Sequence, residues 1–398
     1  MNCIFILVRV TFQITLIVIE KMLRLSLIFL LFVSSLSAQQ ERLDSLITSG
    51  IHQIYSIKFE DADSTFEIVK NDFPEHPSGN FFSAMIVWWR ILLDIQNEDH
   101  DDLLVDKLEI VIDQCDDILD ENPSNVDALF FKGGALGYRG RLSSLRKDWF
   151  DAAIDGKDAL PLVFLAYELD STNTDVILGF GIYNYFAEVI PEMFPMVEPL
   201  MIFFPEGDKQ KGLDQLKFVG AFGKYAKYEA LYFLMTSYYS IEKNSIVALK
   251  YAKKLNEEFP NNPRFESYRG RIYVRLNNYK NAFEIFSDII DKHNLGYVGY
   301  TERTKREAEY YVGFYHKKND SLALAETHFL NCDSLSRLVD EGEESGFLVN
   351  SVLYLGEIND LIGNREKAIL YYEEVLDLDE FKESYEKAEK HLETPYKK

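Results

Sequence analysis

One spacing recurs along this sequence and limits what the chain can fold into. A glycine is followed twelve residues later by an alanine and, four residues beyond that, by an aromatic residue. The pattern occurs as Gly50–Ala62–Phe66, Gly270–Ala282–Phe286, Gly313–Ala325–Phe329 and Gly356–Ala368–Tyr372. Small residues at fixed separations let two helices approach closely, and an aromatic residue one turn beyond the alanine fills the space between them. The spacing therefore predicts tandem pairs of antiparallel helices.

The second half of the chain repeats with a 34-residue period. Tyr239 aligns with Tyr273 and Ala248 with Ala282, both at an offset of 34, and later alanines of the same frame follow at steps of 43. Prolines end second helices, as Pro260 does here. A 34-residue helical hairpin that carries Gly, Tyr, Ala, an aromatic residue and Pro in this order resembles the tetratricopeptide repeat. The match is good over 229–294, fair over 43–75, 306–335 and 349–380, and weak from about 125 to 222.

This resemblance implies an all-α chain of about six tandem helical hairpins that form a right-handed superhelix, an α-solenoid. It also implies a protein that binds peptides or other proteins along a concave groove, although this architecture specifies function poorly. Composition agrees with long helices, since the chain has only 21 glycines and 11 prolines in 398 residues. A net charge of −23 argues against non-specific binding to nucleic acid or to an anionic membrane.

The N-terminal segment reads as a secretory signal peptide over residues 1–38. From Met22 the sequence MLRLSLIFLLFVSSLSAQQ gives a basic start, an apolar run and small residues before a cut at Gln39. We expect Met22 to be the true start and the protein to be periplasmic or secreted. The alternative is an uncleaved membrane anchor. Membrane association is expected only through this segment or through a partner in the envelope.

We divide the remaining chain into N-terminal hairpins (39–124), divergent hairpins (125–222) and C-terminal repeats (223–398). The divergent part has an expected break near Gly137–Gly140 and a Pro/Gly-rich insertion at 179–212, with a helix on each side and Asp208 as N-cap. The block is similar to secreted bacterial tetratricopeptide proteins of unassigned role. More distantly, Gly207, Asp208, Gly212 and Leu213 resemble a G-D-x-x-x-G-L element of the eukaryotic tetratricopeptide family that includes inclusion-body clearance proteins.

The insertion contains GxG and GxxxxG, but neither indicates a nucleotide site. GFGIYN lacks a third glycine, and Gly212 is followed by Leu213 instead of lysine and a hydroxyl residue. MVEPLMIFF is too short to span a membrane, although it could lie at an interface. Two interpretations stay open: the insertion folds back and fills the inside of the superhelix, or it forms a binding platform.

The sequence shows no catalytic or metal-binding motif. The histidines form no HExxH pair, and the serines lie in no GxSxG element. Cys115 and Cys332 are far apart and are expected to be buried free thiols. We therefore expect no enzyme activity, no cofactor and no metal.

The groove-facing positions of two repeats gather basic residues in this acidic chain. In the tetratricopeptide frame, these positions are Arg264, Ser267, Arg271, Val274 and Arg275 in one repeat, and Glu307, Tyr310, Phe314, Lys317 and Lys318 in the next. Arginine grips carboxylates with two parallel hydrogen bonds. One hypothesis is a basic groove for an acidic segment or a terminal carboxylate. The alternative is that these cations pair with Glu and Asp of the same chain.

Together these patterns predict a non-enzymatic scaffold that binds a protein or peptide, in the bacterial cell envelope. A second possibility is a secreted carbohydrate-binding or carbohydrate-active helical protein. The expected export, the acidic composition and the 24 tyrosines favour this possibility, whereas the low number of tryptophans, three, argues against it. A third is an envelope assembly factor that docks on an outer-membrane protein.

Overall fold

The computed structural model describes residues 21–22, 37–195, 199 and 205–398, and this part of the chain is helical with no strands. The expected signal peptide lies outside the described residues except at its last positions and at 21–22. The helices are α1 (37–55), α2 (Phe59–Asp72), α3 (Ser78–Leu93), α4 (Asp101–Glu121), α5 (Val126–Leu145), α6 (Trp149–Leu169), α7 (Ile177–Met193), α8 (Lys209–Phe222), α9 (Lys227–Ser240), α10 (Ser245–Glu258), α11 (Pro263–Arg275), α12 (Tyr279–Asn294), α13 (Glu302–Lys318), α14 (Leu322–Val339), α15 (Gly346–Leu361), α16 (Arg365–Asp377) and α17 (Ser384–Glu393).

These helices pack in chain order, and from α2 onward consecutive helices contact each other. The predicted all-α array of tandem helical hairpins is therefore confirmed. Eight hairpins, α1/α2 to α15/α16, precede α17 in the described part of the chain, so the expected number of about six is too low. The divergent part (125–222) still forms the hairpins α5/α6 and α7/α8. The two helices of each hairpin pack closely against each other although this part lacks the repeat signature.

The recurring glycines have the packing role that their spacing predicts. A Cβ atom placed on Gly270 would lie 2.6 Å from the Phe286 ring, and one on Gly356 would lie 2.5 Å from the ring of Tyr372. The same holds for Gly50 against Phe66 and for Gly313 against Phe329, where the distances are 2.3 and 3.1 Å. Each glycine thus receives the aromatic ring of the paired helix. The four alanines of the pattern are buried as well.

The divergent part differs from the sequence prediction in one place. The expected break near Gly137–Gly140 is wrong, because α5 continues through both glycines to Leu145. Gly140 lies where α5 meets α6, with Ala152 O about 3.2 Å from a Cβ placed there, so the glycine serves close packing and not a turn. The chain turns only at Lys147, which has a φ of 68°.

The stretch 179–212 belongs to one helical hairpin, as predicted: residues 179–193 lie in α7, 209–212 lie in α8, and 194–208 connect the two helices. Asp208 caps α8 by accepting a hydrogen bond from Lys211 N at 2.9 Å. Gly212 lies against the α7 backbone, where a Cβ would be 2.5 Å from Tyr185 N. Whether the insertion fills the superhelix or forms a platform concerns residues 196–204, which lie outside the described residues apart from Pro199.

The helix that does fill the inside of the array is α3. Thirteen of its sixteen residues are buried, including Trp88 and Trp89. The Trp89 ring contacts Tyr232 of α9 and Phe265 of α11, with ring centroids 5.8 and 5.6 Å apart. A helix that is apolar on every side is stable only when other elements surround it. The N-terminal hairpins therefore pack against α9 and α11 through α3.

Polar contacts hold this arrangement together across long sequence separations. Asn262 Nδ2 donates to Tyr55 O at 2.9 Å, and Tyr55 Oη donates to the buried Glu229 carboxylate at 2.8 Å. Glu229 also pairs with Arg141 of α5 at 2.5 Å. In an open repeat array each unit contacts only its neighbours. This chain instead closes back on itself between residues about 200 positions apart.

Candidate peptide-binding cleft

A cleft of about 180 Å³ opens where the end of α3 meets α11 and α13. We call it the arginine cleft, because four arginines line it: Arg264, Arg271, Arg303 and Arg306. The remaining lining residues include Leu92 to Gln96 from the end of α3, Pro263, Ser267, Tyr268, Thr304, Glu307 and Phe347. Two carboxylates, Asp94 and Glu307, stand against the four guanidinium groups. Two more carboxylates just outside the lining, Asp340 and Glu341, pair with Arg306 and Arg303, so the four guanidinium groups are balanced by four carboxylates.

Arg264 joins the cleft to the C-terminal end of α3. Its Nη1 donates to Leu92 O at 2.7 Å, and its Nε bonds the Tyr232 hydroxyl. The last carbonyl groups of a helix lack hydrogen-bond donors within the helix and carry partial negative charge. A guanidinium group stabilises this end because it donates hydrogen bonds and carries positive charge. Asn262, the N-cap of α11, accepts from Arg264 N at 3.1 Å and fixes the start of this helix. Arg264 is therefore held at the base of the cleft.

Arg271 forms a two-bond ion pair inside the cleft. Its Nε and Nη2 donate to the two carboxylate oxygens of Glu307, which is itself buried. Burial disfavours the charged guanidinium, but the Glu307 charge and its hydrogen bonds hold the pKa of Arg271 above its ordinary value. The ring of Tyr268 lies 5.5 Å from the guanidinium carbon. Arg271 thus stays charged at every physiological pH.

Arg303 and Arg306 come from the first turns of α13. Arg303 Nε lies 3.2 Å from an Asp94 carboxylate oxygen, and its Nη1 bonds the Gln96 side chain. Arg306 is buried and bonds Asp340 through Nη1. The buried Arg306 Nε has no hydrogen-bond partner among the described residues. A buried guanidinium donor without a partner costs free energy, and an acceptor that enters the cleft could satisfy it.

The structure thus gathers three of the predicted groove residues, Arg264, Ser267 and Arg271, in one cleft with Glu307. Arg275 lies outside the lining: its Nη1 donates to Tyr239 O at 2.5 Å, and its guanidinium carbon lies 3.5 Å from the centre of the Tyr239 ring.

The other four predicted residues lie farther along α13. Lys317 pairs with the buried Glu357 at 2.5 Å, whereas Lys318 is exposed beside the Tyr279 ring at 4.7 Å. Tyr310 and Phe314 pack with Tyr354, each with ring centroids 6.1 Å from it. Arg271 and Lys317 therefore have carboxylate partners in the chain itself. A peptide-binding role for these eight residues stays a prediction.

Sequence reasoning missed Arg303, Arg306 and the segment Leu92–Gln96. The two arginines stand in TERTKREAEY at the start of α13, where three cations within four residues were a usable signal although three glutamates balance their charge. The contribution of α3 had no such signal, because Arg264 and Leu92 are 172 positions apart. Only the closed arrangement of the chain brings them together.

The described residues contain no group of three or more His, Cys, Asp or Glu side chains that could hold a metal ion. Cys115 and Cys332 are buried free thiols, and burial raises the pKa of each to about 12. Trp88 and Trp89 are buried against other rings and offer no exposed face for a sugar. No helix in the described ranges combines the length and the apolar character needed to cross a membrane.

No protein-family model matches the chain, and no curated protein matches it either. Similar solved structures include PilF of Pseudomonas aeruginosa (13% identity, TM-score 0.43, covering 65% of this chain and 97% of PilF). The C-terminal part of a tetratricopeptide-repeat protein from Cytophaga hutchinsonii has 15% identity and a TM-score of 0.34, covering 77% of this chain and 98% of the other. Human IFIT1, solved as a dimer with m7Gppp-AAAA, has 17% identity and a TM-score of 0.38, covering 81% and 68%. Similarity this low carries no argument about function, and the fold rests on the helices described above.

Proposed function

We propose that this protein is a non-enzymatic helical-repeat scaffold that binds a protein or peptide partner in the bacterial cell envelope. The observation that carries the proposal is the arginine cleft, where four guanidinium groups gather in one concave site of an acidic molecule. The envelope setting is supported by the signal-peptide pattern of residues 1–38. The partner segment is expected to be acidic.

The chemistry of the cleft favours a carboxylate as the group that enters it. Guanidinium groups present paired N–H donors that match the two oxygens of a carboxylate. Arg306 Nε is buried without a partner in the described part of the chain, and Arg303 is held by Asp94 and Gln96 at the edge of the cleft. A ligand carboxylate would therefore compete with Asp94 and Gln96 for Arg303, and it would reach the buried Arg306 Nε only if the cleft opens.

The rest of the molecule makes non-specific anion binding unfavourable. A polyanion such as nucleic acid would be repelled by the net charge of −23. A short acidic segment places its few charges in the cleft alone. The volume of the cleft also favours a short acidic segment over a polyanion, because about 180 Å³ accepts one or two side chains and no extended polymer.

The test is direct binding of fluorescein-labelled twelve-residue peptides, followed by fluorescence anisotropy. One peptide carries Asp and Glu, and its matched control carries Asn and Gln at the same positions. We expect the acidic peptide to bind in a salt-dependent manner, and Arg271→Gln or Arg303→Gln to weaken binding about tenfold or more. Arg337→Gln, which removes an exposed arginine of α14, should change nothing.

A partner from the native organism is sought in parallel by chemical cross-linking in isolated envelopes and mass spectrometry. Wild-type protein and the Arg303→Gln variant are compared, and a protein is accepted as a partner only if it cross-links to the wild type and not to the variant. Equal binding of the acidic and the amide peptide, or of wild type and both cleft variants, would overturn the proposal.

A further inference from the structure

After α17 the chain continues as an extended segment, residues 394–398, which crosses the ends of α13 and α15. Thr394 has φ −134° and ψ 120°, and the four residues after it lie in neither a helix nor a turn. Four of the five residues are exposed, and only Tyr396 is half-buried. Extended backbone forms no hydrogen bonds within itself, so the surface beneath must hold it in place. We call these five residues the 394–398 segment.

Tyr396 anchors the 394–398 segment through three contacts. Its backbone N–H donates to Asp360 Oδ2 at 2.7 Å, and the side chain of Asp360 is fully buried at the end of α15. The Lys317 ammonium group lies 5.0 Å from the centre of the Tyr396 ring, a distance at which a cation is attracted to the ring. The ring of His391 stands edge-on to it, with the centroids 5.1 Å apart.

The basic residue two positions after Tyr396 meets an exposed carboxylate. Lys398 Nζ pairs with Asp320, which follows α13 and is 71% exposed. No other cation in the described part of the chain pairs with Asp320. The two carboxylates of α15 in this region, Glu357 and Asp360, already have cationic partners within the repeats. Asp320 is therefore the carboxylate that an incoming cation meets.

The repeats build this surface without help from the 394–398 segment. Asp360 also accepts from Arg365 Nη1 at 3.0 Å and from the Tyr372 hydroxyl at 2.9 Å, so its carboxylate is fixed. Lys317 is held against the Tyr354 ring, whose centre lies 4.8 Å away. Groups that are fixed in advance lose little conformational entropy when they bind a ligand. If the segment leaves, Asp360 keeps two of its three partners and offers one acceptor position to a new N–H group.

We propose that the 394–398 segment is a displaceable internal ligand, and that the surface it covers binds a partner's extended segment of the same chemistry. That chemistry is an aromatic residue followed by basic residues. The partner donates a backbone N–H to Asp360, places its ring beside Lys317 and a cation beside Asp320. The occupant already seated there is the argument for this one, because it shows which groups the surface accepts.

The covalent link makes the 394–398 segment an inhibitor of partner binding. A short tether gives a segment an effective concentration on the order of mM at its own site. A partner must therefore outcompete the segment, and its apparent affinity is lower than the affinity of the open surface. The same link favours the chain's own segment over that of a second copy.

This surface is separate from the arginine cleft and takes a ligand of opposite charge. Arg306 and Lys317 are eleven residues apart on α13, which corresponds to about 16 Å along a helix. The cleft is proposed to receive an acidic segment, whereas Asp320 favours a basic one. Arg303→Gln should therefore leave binding at the α13 and α15 ends unchanged, and the two proposals succeed or fail independently.

The first experiment measures binding of the fluorescein-labelled peptide ETPYKK, the sequence of residues 393–398, by fluorescence anisotropy. Proline at position 396 has neither an N–H group nor an aromatic ring, so Tyr396→Pro releases the built-in segment. We expect this variant to bind the peptide about tenfold or more tightly than wild type does. Lys397→Ala, which changes the exposed neighbouring residue, should bind like wild type.

A milder variant covers the case that Tyr396→Pro disturbs folding, which circular dichroism checks. Lys398→Gln removes only the exposed pair with Asp320, and it should raise peptide affinity by about two- to threefold. If wild type, Tyr396→Pro and Lys398→Gln all bind the peptide equally, or if none binds it, the segment is no competitor and the proposal is wrong.

The second experiment varies the peptide and leaves the protein as it is. With the Tyr396→Pro protein, ETPAKK should bind about tenfold more weakly than ETPYKK, and binding of ETPYQQ should be weaker and no longer depend on salt. Equal binding of the three peptides contradicts recognition of an aromatic and basic segment. Light scattering tests the remaining occupant: a wild-type dimer that Tyr396→Pro converts to a monomer means that copies exchange the segment, which overturns competition within one chain.

Discussion

Replacing Gly270 by alanine tests the packing that the glycine and aromatic spacing creates. The added methyl group would lie 2.6 Å from Phe286 Cζ, whereas ordinary contacts begin near 3.4 Å, so the ring must retreat by roughly 0.8 Å. Phe286 is fully buried and cannot move outward without pushing α12 away. Overpacking of this kind costs about 1–3 kcal/mol, and the better helix propensity of alanine returns up to about 1 kcal/mol. We expect a net loss of about 1–2 kcal/mol.

Urea unfolding followed by circular dichroism measures this loss, and hydrogen exchange of α11 and α12 locates it. The matched control is Gly137→Ala in α5, where no atom lies within 4 Å of the new methyl group. The control should be stabilised by about 0.5–1 kcal/mol, because glycine in a helix interior costs that much relative to alanine. The two substitutions are chemically identical and are expected to have opposite signs.

A double substitution separates the clash from other effects. In Gly270→Ala with Phe286→Leu, the smaller side chain leaves room for the methyl group, so the combined loss should be smaller than the sum of the single losses. Additive losses, or a stabilised Gly270→Ala protein, would refute the idea that this glycine exists to receive the ring.

Three further predictions concern stability and reactivity. Burial lowers the pKa of His316, and the stacked ring of His328 lowers it further. The free energy of unfolding that this neutral histidine contributes is present above pH 6.5 and should be lost as the pH falls below that value. His316→Gln should therefore flatten the profile of melting temperature against pH below pH 6.5. Asn262→Ala should cost about 1–3 kcal/mol in urea unfolding, more than Asn244→Ala, because both asparagines cap helices but only the first also bonds a backbone carbonyl of α1. Cys115 and Cys332 should react with a thiol reagent only after unfolding, because their pKa values near 12 and their burial leave no accessible thiolate.

The hairpins could be predicted from the sequence because their determinants are local. Gly270 and Phe286 are 16 positions apart, and four of the eight hairpins carry a glycine, an alanine and an aromatic residue at the same separations. The continuity of α5 through Gly137 and Gly140 was not predictable in this way. A glycine that permits a close helix crossing and a glycine that ends a helix look the same in one sequence.

The arginine cleft was only half predictable, for a related reason. The repeat frame places Arg264 and Arg271 on the same face of α11, and both line the cleft. The wall formed by the end of α3 depends on contacts between positions more than 170 apart, which no periodicity encodes. One signal was present: FFSAMIVWWRILL is apolar on all sides, and such a helix must be surrounded by others.

The central position of α3 links the cleft to the stability of the whole chain. Arg264 holds the last turn of α3 through Leu92 O, and Arg303 holds the residues after it through Asp94 and Gln96. If the proposed function is right, a carboxylate that enters the cleft would meet arginines that also hold the end of α3 against α11 and α13. A carboxylate that draws Arg303 away from Asp94 would weaken one of these contacts. Binding at the cleft and the packing of α3 would then share the same arginines, so the free energy of one would depend on that of the other.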